Sequence, residues 1–274
     1  MTFSTPIICH EKPFVMGHLE GQLGNQFFIV AATLALAWDN DAIPVFPDFK
    51  KRRNPDIQVN YKNVFWRLIT EKPNDQKVEF RYHAPRYPID GYLPIPYQPN
   101  MVLYGYFQSE KYFAHHKERI KKTFEPSEEI VDYLVEKYGN FFVNNTTVSI
   151  HIRMYKEHRE FYFFHGRDYI KRAISLFPKN VQFIVCSDDI EWCKENLSDL
   201  AKQMLFIENQ PHYYDFYLMS MCDHNIITNS SFSWWAVYLN KNPKKIVVAP
   251  EKWYRKALDM TERDLIPDGW IQIN

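Results

Sequence analysis

Apolar residues fall along this chain in two rhythms. From residue 147 onward, short and nearly continuous apolar runs alternate with longer stretches whose apolar positions recur at helical spacing. Thr147 to Arg153, Val181 to Ser187, Met204 to Glu208, Asn225 to Asn229 and Lys245 to Ala249 predict strands. Arg167 to Phe177, Asp189 to Leu200, Tyr213 to Cys222 and Phe232 to Leu239 predict the helices between them. Strands without polar alternation are covered on both faces, so the pattern predicts a parallel sheet flanked by helices, an α/β fold. The N-terminal half is less regular. Phe14 to Leu19, Ala42 to Phe46 and Met101 to Phe107 read as strands. Asn25 to Asp39, Ser109 to Lys122 and Ser127 to Tyr138 read as helices. Lys50 to Pro99, rich in Pro, Tyr and charge, predicts no element. Gly139 to Thr146, with Asn144-Asn145, reads as a link between halves 1–143 and 144–274. Two such halves enclose a cleft, the usual seat of a ligand.

Composition narrows the possibilities. Hydrophobic residues at 46% and charged residues at 24% are globular proportions. The 33 basic and 33 acidic side chains cancel, which gives no bulk attraction to nucleic acid or to an anionic membrane. Any phosphate must therefore meet a local site. The longest apolar run, Phe27 to Trp38 broken by Thr33, is shorter than the roughly 20 residues that span a bilayer. No transmembrane segment is expected, and peripheral membrane contact stays open. Met1 to Phe14 lacks a basic lead-in to an apolar core, so no signal peptide is read and a cytoplasmic location is expected. Cys9, Cys186, Cys193 and Cys222 show no CxxC spacing and read as reduced, semi-buried thiols.

Four segments carry candidate chemistry. Gly21-Gln22-Leu23-Gly24-Asn25-Gln26 lies between a strand and a helix. It is either a tight turn capped by Asn25 or a place where backbone N–H groups approach a ligand. His151-Ile152-Arg153 ends a strand, with His151 and Arg153 on one side of it. Arg153 pairs either with a carboxylate or with an anion such as a diphosphate. Ser187-Asp188-Asp189 ends the next strand and either caps a helix or accepts hydrogen bonds from a base or ribose. Asn229-Ser230-Ser231-Phe232-Ser233 precedes a helix and is either an ordinary cap or an anion cradle. In a parallel sheet these strand ends share one crevice, and together they fit a nucleotide diphosphate. Metal binding finds no support. His115-His116 and the separate His151, His158 and His165 lack a partner pattern of the HExxH kind, and no GxSxG is present.

These residues carry a resemblance to a family. GQLGNQFF (Gly21 to Phe28), YGYFQSEKYF (Tyr104 to Phe113), VSIHIR (Val148 to Arg153), FIVCSDDIEWCK (Phe183 to Lys194), DFYLMSMCDHNIITNSSFSWWAVYLN (Asp215 to Asn240) and DLIPDGWIQI (Asp264 to Ile273) run in family order. They make the chain similar to the bacterial-type α-1,2-fucosyltransferases, glycosyltransferase family 11. The resemblance implies a GT-B-like architecture of two Rossmann-like domains, 1–143 on the acceptor side and 144–274 binding the donor. It implies a metal-independent, inverting transfer of fucose from GDP-fucose to a galactoside 2-hydroxyl of a glycan, with no cofactor. Gly21, Gly24, Asn25, Gln26, His151, Arg153, Asp188, Asn229, Ser230, Ser231, Phe232 and Ser233 are then donor-binding candidates. Arg153 neutralises the diphosphate, and Glu20 is the candidate base, with His18 next; both flank the glycine turn and are expected to point toward the inter-domain cleft. The family motif HxRRGDY reads here His151-Ile152-Arg153-Met154-Tyr155-Lys156, so its second Arg, its Gly and its Asp are replaced. That departure leaves open a different donor or linkage, or a nucleotide-sugar-binding or glycan-binding pseudoenzyme. A phosphatase or sulfotransferase on an α/β sheet is the rival outside the family.

Overall fold

The structure, a computed structural model, describes residues 12–51, 55–73, 77–85, 91–255 and 262–274. The readings of Cys9 and of most of the N-terminal segment lie outside these residues. Two parallel sheets carry the chain. The first comprises β1 (Phe14–Gly17), β2 (Ile43–Val45), β3 (Phe80–His83) and β4 (Met101–Tyr104), in the order β2-β1-β4-β3. The second comprises β5 (Thr147–Ile152), β6 (Gln182–Ser187), β7 (Met204–Phe206), β8 (His224–Ile227), β9 (Val247–Pro250) and β10 (Ile271–Ile273), in the order β10-β9-β8-β5-β6-β7. Every pairing is parallel, and central β5 is buried at all six residues although every second one is polar: the Thr147 hydroxyl donates to Asp223 and the Ser149 hydroxyl accepts from the Asn225 amide.

The helices are α1 (Leu23–Asp39), α2 (Pro55–Asn60), α3 (Lys117–Thr123), α4 (Glu128–Phe142), α5 (Arg167–Ile174), α6 (Ile190–Leu197), α7 (His212–Met221) and α8 (Ser231–Leu239). α1 is apolar on nearly all sides because it is buried on nearly all sides. It belongs to the first half but packs on α7 and α8 of the second. Phe27 stacks on Phe216 at 4.8 Å and on Trp235 at 5.2 Å, and Phe28 meets Trp234 at 4.5 Å. Thr33, the polar break in that run, turns its hydroxyl back to the Ile29 carbonyl at 2.7 Å and so needs no water.

Several elements depart from the sequence pattern. α4 continues to Phe142 and absorbs Gly139, which shortens the expected link to 143–146. The single helix expected over Ser109 to Lys122 is two 3-10 turns, Glu110–Tyr112 and Ala114–His116, followed by α3. The break is at Phe113, whose backbone leaves helical angles while its fully buried ring stacks on Trp235 at 5.1 Å. Tertiary packing outweighs helix propensity there. β3 and α2 arise within the unassigned stretch, and β10 adds a sixth strand to the second sheet. Cys186, Cys193 and Cys222 are free and buried.

Candidate active site

The carboxyl ends of β1, β4, β5, β6 and β8 open onto one cleft of about 600 Å³, within the usual range of ligand pockets. Its floor is where two helices begin. Gly24, in the first turn of α1, is so close to the start of α8 that an added Cβ stands 2.4 Å from the Phe232 nitrogen and from the Ser231 carbonyl carbon. Asn25 does not cap α1, as one reading of the sequence had it. Its carboxamide oxygen instead accepts from the Ser231 hydroxyl (2.9 Å) and the Gln108 amide (2.8 Å). The N-caps, Gln22 of α1 and Ser230 of α8, make no side-chain capping bond, and neither helix has an acid in its first turn. By contrast α4 and α6 are capped by Ser127 and Asp189 and carry Glu128, Glu129 and Glu191 in their first turns. Two uncapped helix N-termini, each the positive end of a dipole, therefore face the same space, an arrangement suited to an anion.

Arg153 extends this positive region. Its backbone is fixed by donation to the Thr228 hydroxyl (3.0 Å), and its guanidinium reaches Gln22 Oε1 (3.2 Å) and Asp188 Oδ2 (3.1 Å). The structure separates the two adjacent acids: Asp189 caps α6, while Asp188 faces the cleft and accepts from the Met154 N–H at 2.9 Å. His151 is buried on β5, and burial, with the charge of Arg153, holds it down at about 3, so it stays neutral. Its Nδ1 is buried and meets no hydrogen-bond partner among the described residues. Tyr155 stands where the family motif has Gly and keeps the backbone a glycine favours, with φ of +46°. Its ring stacks on Tyr162 at 4.1 Å and its hydroxyl donates to the Asn229 carbonyl at 2.7 Å, contacts that hold it in that conformation.

Of the donor-binding candidates, Gly21, Gly24, Asn25, His151, Arg153, Asp188, Ser230, Ser231 and Phe232 line the cleft. Gln26, Asn229 and Ser233 do not: they are fully buried behind its wall. Gln26 donates to the Gly21 carbonyl, Asn229 to the Phe163 and Trp253 carbonyls, and Ser233 to the Ser230 carbonyl. They hold the loops whose backbones face the ligand space.

Sequence reasoning missed Asp215 and Asp48. Asp215, at the start of α7, lines the cleft, and burial raises its carboxyl to about 6. Gln210 donates to its Oδ1 at 2.7 Å. A spaced Asp inside an apolar helix was the available signal. Asp48 sits behind the first sheet's loops and is nearly buried. Against its burial, the bonds from His18 (Nδ1 to Oδ2, 2.9 Å), Lys51 and the Leu19 N–H hold it far below the usual carboxylate range. The same bond raises His18 above its ordinary value, against a smaller opposing effect of burial. His18 and Glu20 stand at the carboxyl end of β1, on the first sheet's side and outside the cleft lining, with His18 Nε2 3.8 Å from Glu20 Oε1. The His18 ring also packs on Tyr104 at 4.7 Å.

Two parallel α/β sheets meeting at a cleft suited to an anion give the chain a GT-B-like fold. The family model for glycosyl transferase family 11 matches residues 15–274, and the chain belongs to that family as an α-1,2-fucosyltransferase-like enzyme. It is 30% identical to an alpha-1,2-colitosyltransferase of Escherichia coli over 94% of this chain and 98% of that one. It is 25% identical to galactoside alpha-(1,2)-fucosyltransferase 2 of Oryctolagus cuniculus, over 80% of this chain and 65% of the relative. The fold is similar to that of fucosyltransferase NodZ from Bradyrhizobium, with a TM-score of 0.53 at 16% identity, covering 83% of this chain and 93% of that one. Among the described residues no helix is long and apolar enough to cross a membrane.

Proposed function

We propose that this enzyme transfers L-fucose from GDP-fucose to the 2-hydroxyl of a galactoside, with inversion at the anomeric carbon. The observation that carries the reading is the convergence of Arg153 with two uncapped helix N-termini on one cleft. The acceptor oxygen forms its bond to the anomeric carbon while the bond from that carbon to the diphosphate breaks. The electron pair leaves with GDP. Arg153 and the N–H groups opening α1 and α8 meet that growing charge, each fixed donor being worth about 3–4 kcal/mol. Asp215 accepts from the ring N–H groups of guanine, since its carboxylate is in the cleft and is bonded by the neutral Gln210 amide.

The acceptor proton goes to the carboxyl end of β1, on the first sheet's side. Asp48 engages Nδ1 of His18, so the neutral ring carries its hydrogen there and turns the basic Nε2 outward. This favours His18 as the base over Glu20, which lies beside the same nitrogen. A second reading concerns the sugar: the relatives share an α-1,2 linkage in their names, but one transfers colitose and another fucose. The test is a transfer assay offering GDP-fucose and other GDP-linked 6-deoxy sugars with β-galactoside acceptors, the product linkage read by NMR. An α-1,2-fucosyl product is expected. Transfer from a UDP-sugar, or no binding of GDP, would sink the proposal.

A further inference from the structure

Asp39 closes α1, at the end of a helix where a carboxylate is least welcome, and no basic residue stands in that last turn. Both of its oxygens are met by imidazoles. His115 Nε2 lies 2.8 Å from Oδ2, and His116 Nε2 lies 2.7 Å from Oδ1. These are the adjacent histidines for which the sequence showed no partner. Their partner stands 76 residues before His115 and is brought to them by the packing of α1 against the 3-10 turn Ala114–His116. Each ring presents its Nε2 to the same carboxylate, and one ligand atom from each of the three residues lies within 4.8 Å of the others. The rings have packed neighbours: the edge of Trp38 meets His116 at 5.3 Å, and His115 lies against His116 at 4.5 Å. The nearby cation, Arg119, is stacked on the far aromatic surface, 3.8 Å over Trp38.

We propose that Asp39, His115 and His116 form a binding site for a divalent transition-metal ion, zinc being the best match, with solvent completing the coordination. Two imidazole nitrogens and one carboxylate are donors of the type zinc takes, whereas magnesium and calcium call for oxygen ligands. Bonds of about 2.0–2.2 Å in a tetrahedron set the donors about 3.4 Å apart, so each His–Asp contact, now 2.8 and 2.7 Å, has to lengthen by less than about 1 Å to admit the ion. His116 is partly buried while Asp39 and His115 are exposed, which leaves an open path and room for water. The site is remote from the cleft. At 1.5 Å per residue, the 17 residues of α1 put about 25 Å between its two ends. The ion therefore clips the end of α1 to the segment leading into α3 and takes no part in transfer.

The experiment is calorimetric titration of zinc chloride into the full chain after removal of metals by a chelator. One ion per chain is expected, with a rise in melting temperature and no matching response to magnesium. Asp39→Asn and His116→Gln should each weaken zinc binding by about 10–100-fold or more and abolish the melting-temperature rise, while GDP binding stays at the wild-type level. Should one variant fold poorly, the other and His115→Gln carry the same test. Zinc affinity unchanged in the His115→Gln/His116→Gln double variant would overturn the site. So would a titration lost in His18→Gln instead, or magnesium bound as tightly as zinc.

Discussion

Gly24→Ala puts the contact between the two helix starts under direct strain. The added methyl would stand 2.4 Å from two backbone atoms at the start of α8, about 1 Å closer than a normal contact, and neither is the flexible end of a side chain. On helix propensity alone, Ala at this position in α1 gains up to about 1 kcal/mol over Gly. Overpacking against rigid backbone costs about 1–3 kcal/mol, so the expected net loss is up to about 2 kcal/mol. For a chain of this size that lowers the melting temperature by up to about 4–8 °C. The larger effect falls on the ligand. Relief of the clash moves the N-termini of α1 and α8 apart by about 1 Å, and loss of one hydrogen bond to a charged phosphate costs about 1.5–3 kcal/mol. GDP affinity should fall by about 10–100-fold, measured by calorimetry beside a thermal melt. A Gly24→Ala protein as stable as wild type, with GDP affinity within threefold, would show that the two helix starts do not jointly hold the diphosphate.

Three further outcomes are expected. Arg153→Ala should keep the fold, weaken GDP binding and cut turnover; Lys should restore only part, since it returns the charge without the fork that reaches Gln22 and Asp188. Wild-type kinetics in Arg153→Ala would remove it from the donor site. Asp215→Asn should lower GDP affinity by about 10–100-fold, and in the wild type GDP binding should weaken as pH falls through about 6, where Asp215 takes up its proton. A flat affinity from pH 5 to 8 contradicts the guanine contact. If His18 is the base, turnover has an acid limb whose midpoint lies above 6.5, because its folded value is raised by Asp48 and only the neutral ring accepts the proton. The same raised value adds stability below the unfolded value that is lost as pH rises through the folded one. His18→Gln should abolish the limb and slow turnover by about 10²–10⁴-fold; if Glu20→Gln does so and His18→Gln does not, the roles are exchanged.

The parallel sheet of the second half was legible in the sequence, because its strands are short, mostly apolar or β-branched runs alternating with helical stretches, as a sheet covered on both faces requires. The sequence also marked the ends of those strands as the place for chemistry, where Arg153, Asp188 and Ser230 each follow such a run. It could not separate cap from ligand at those ends, since the same residue types serve both. The folded structure settles that Asp189 caps and Asp188 faces the cleft, and that Gln26, Asn229 and Ser233 stand behind the wall. The first sheet was harder to read because its strands are three or four residues long, too short for a period to register, and because Phe113 gives up helical angles to reach Trp235. The pairs His18 with Asp48 and Asp39 with His115 and His116 join positions 30 to 77 residues apart. The first proximity comes from the parallel pairing of β1 with β2 and the second from the end of α1 meeting the turn before α3; both are long-range pairings written in no local pattern.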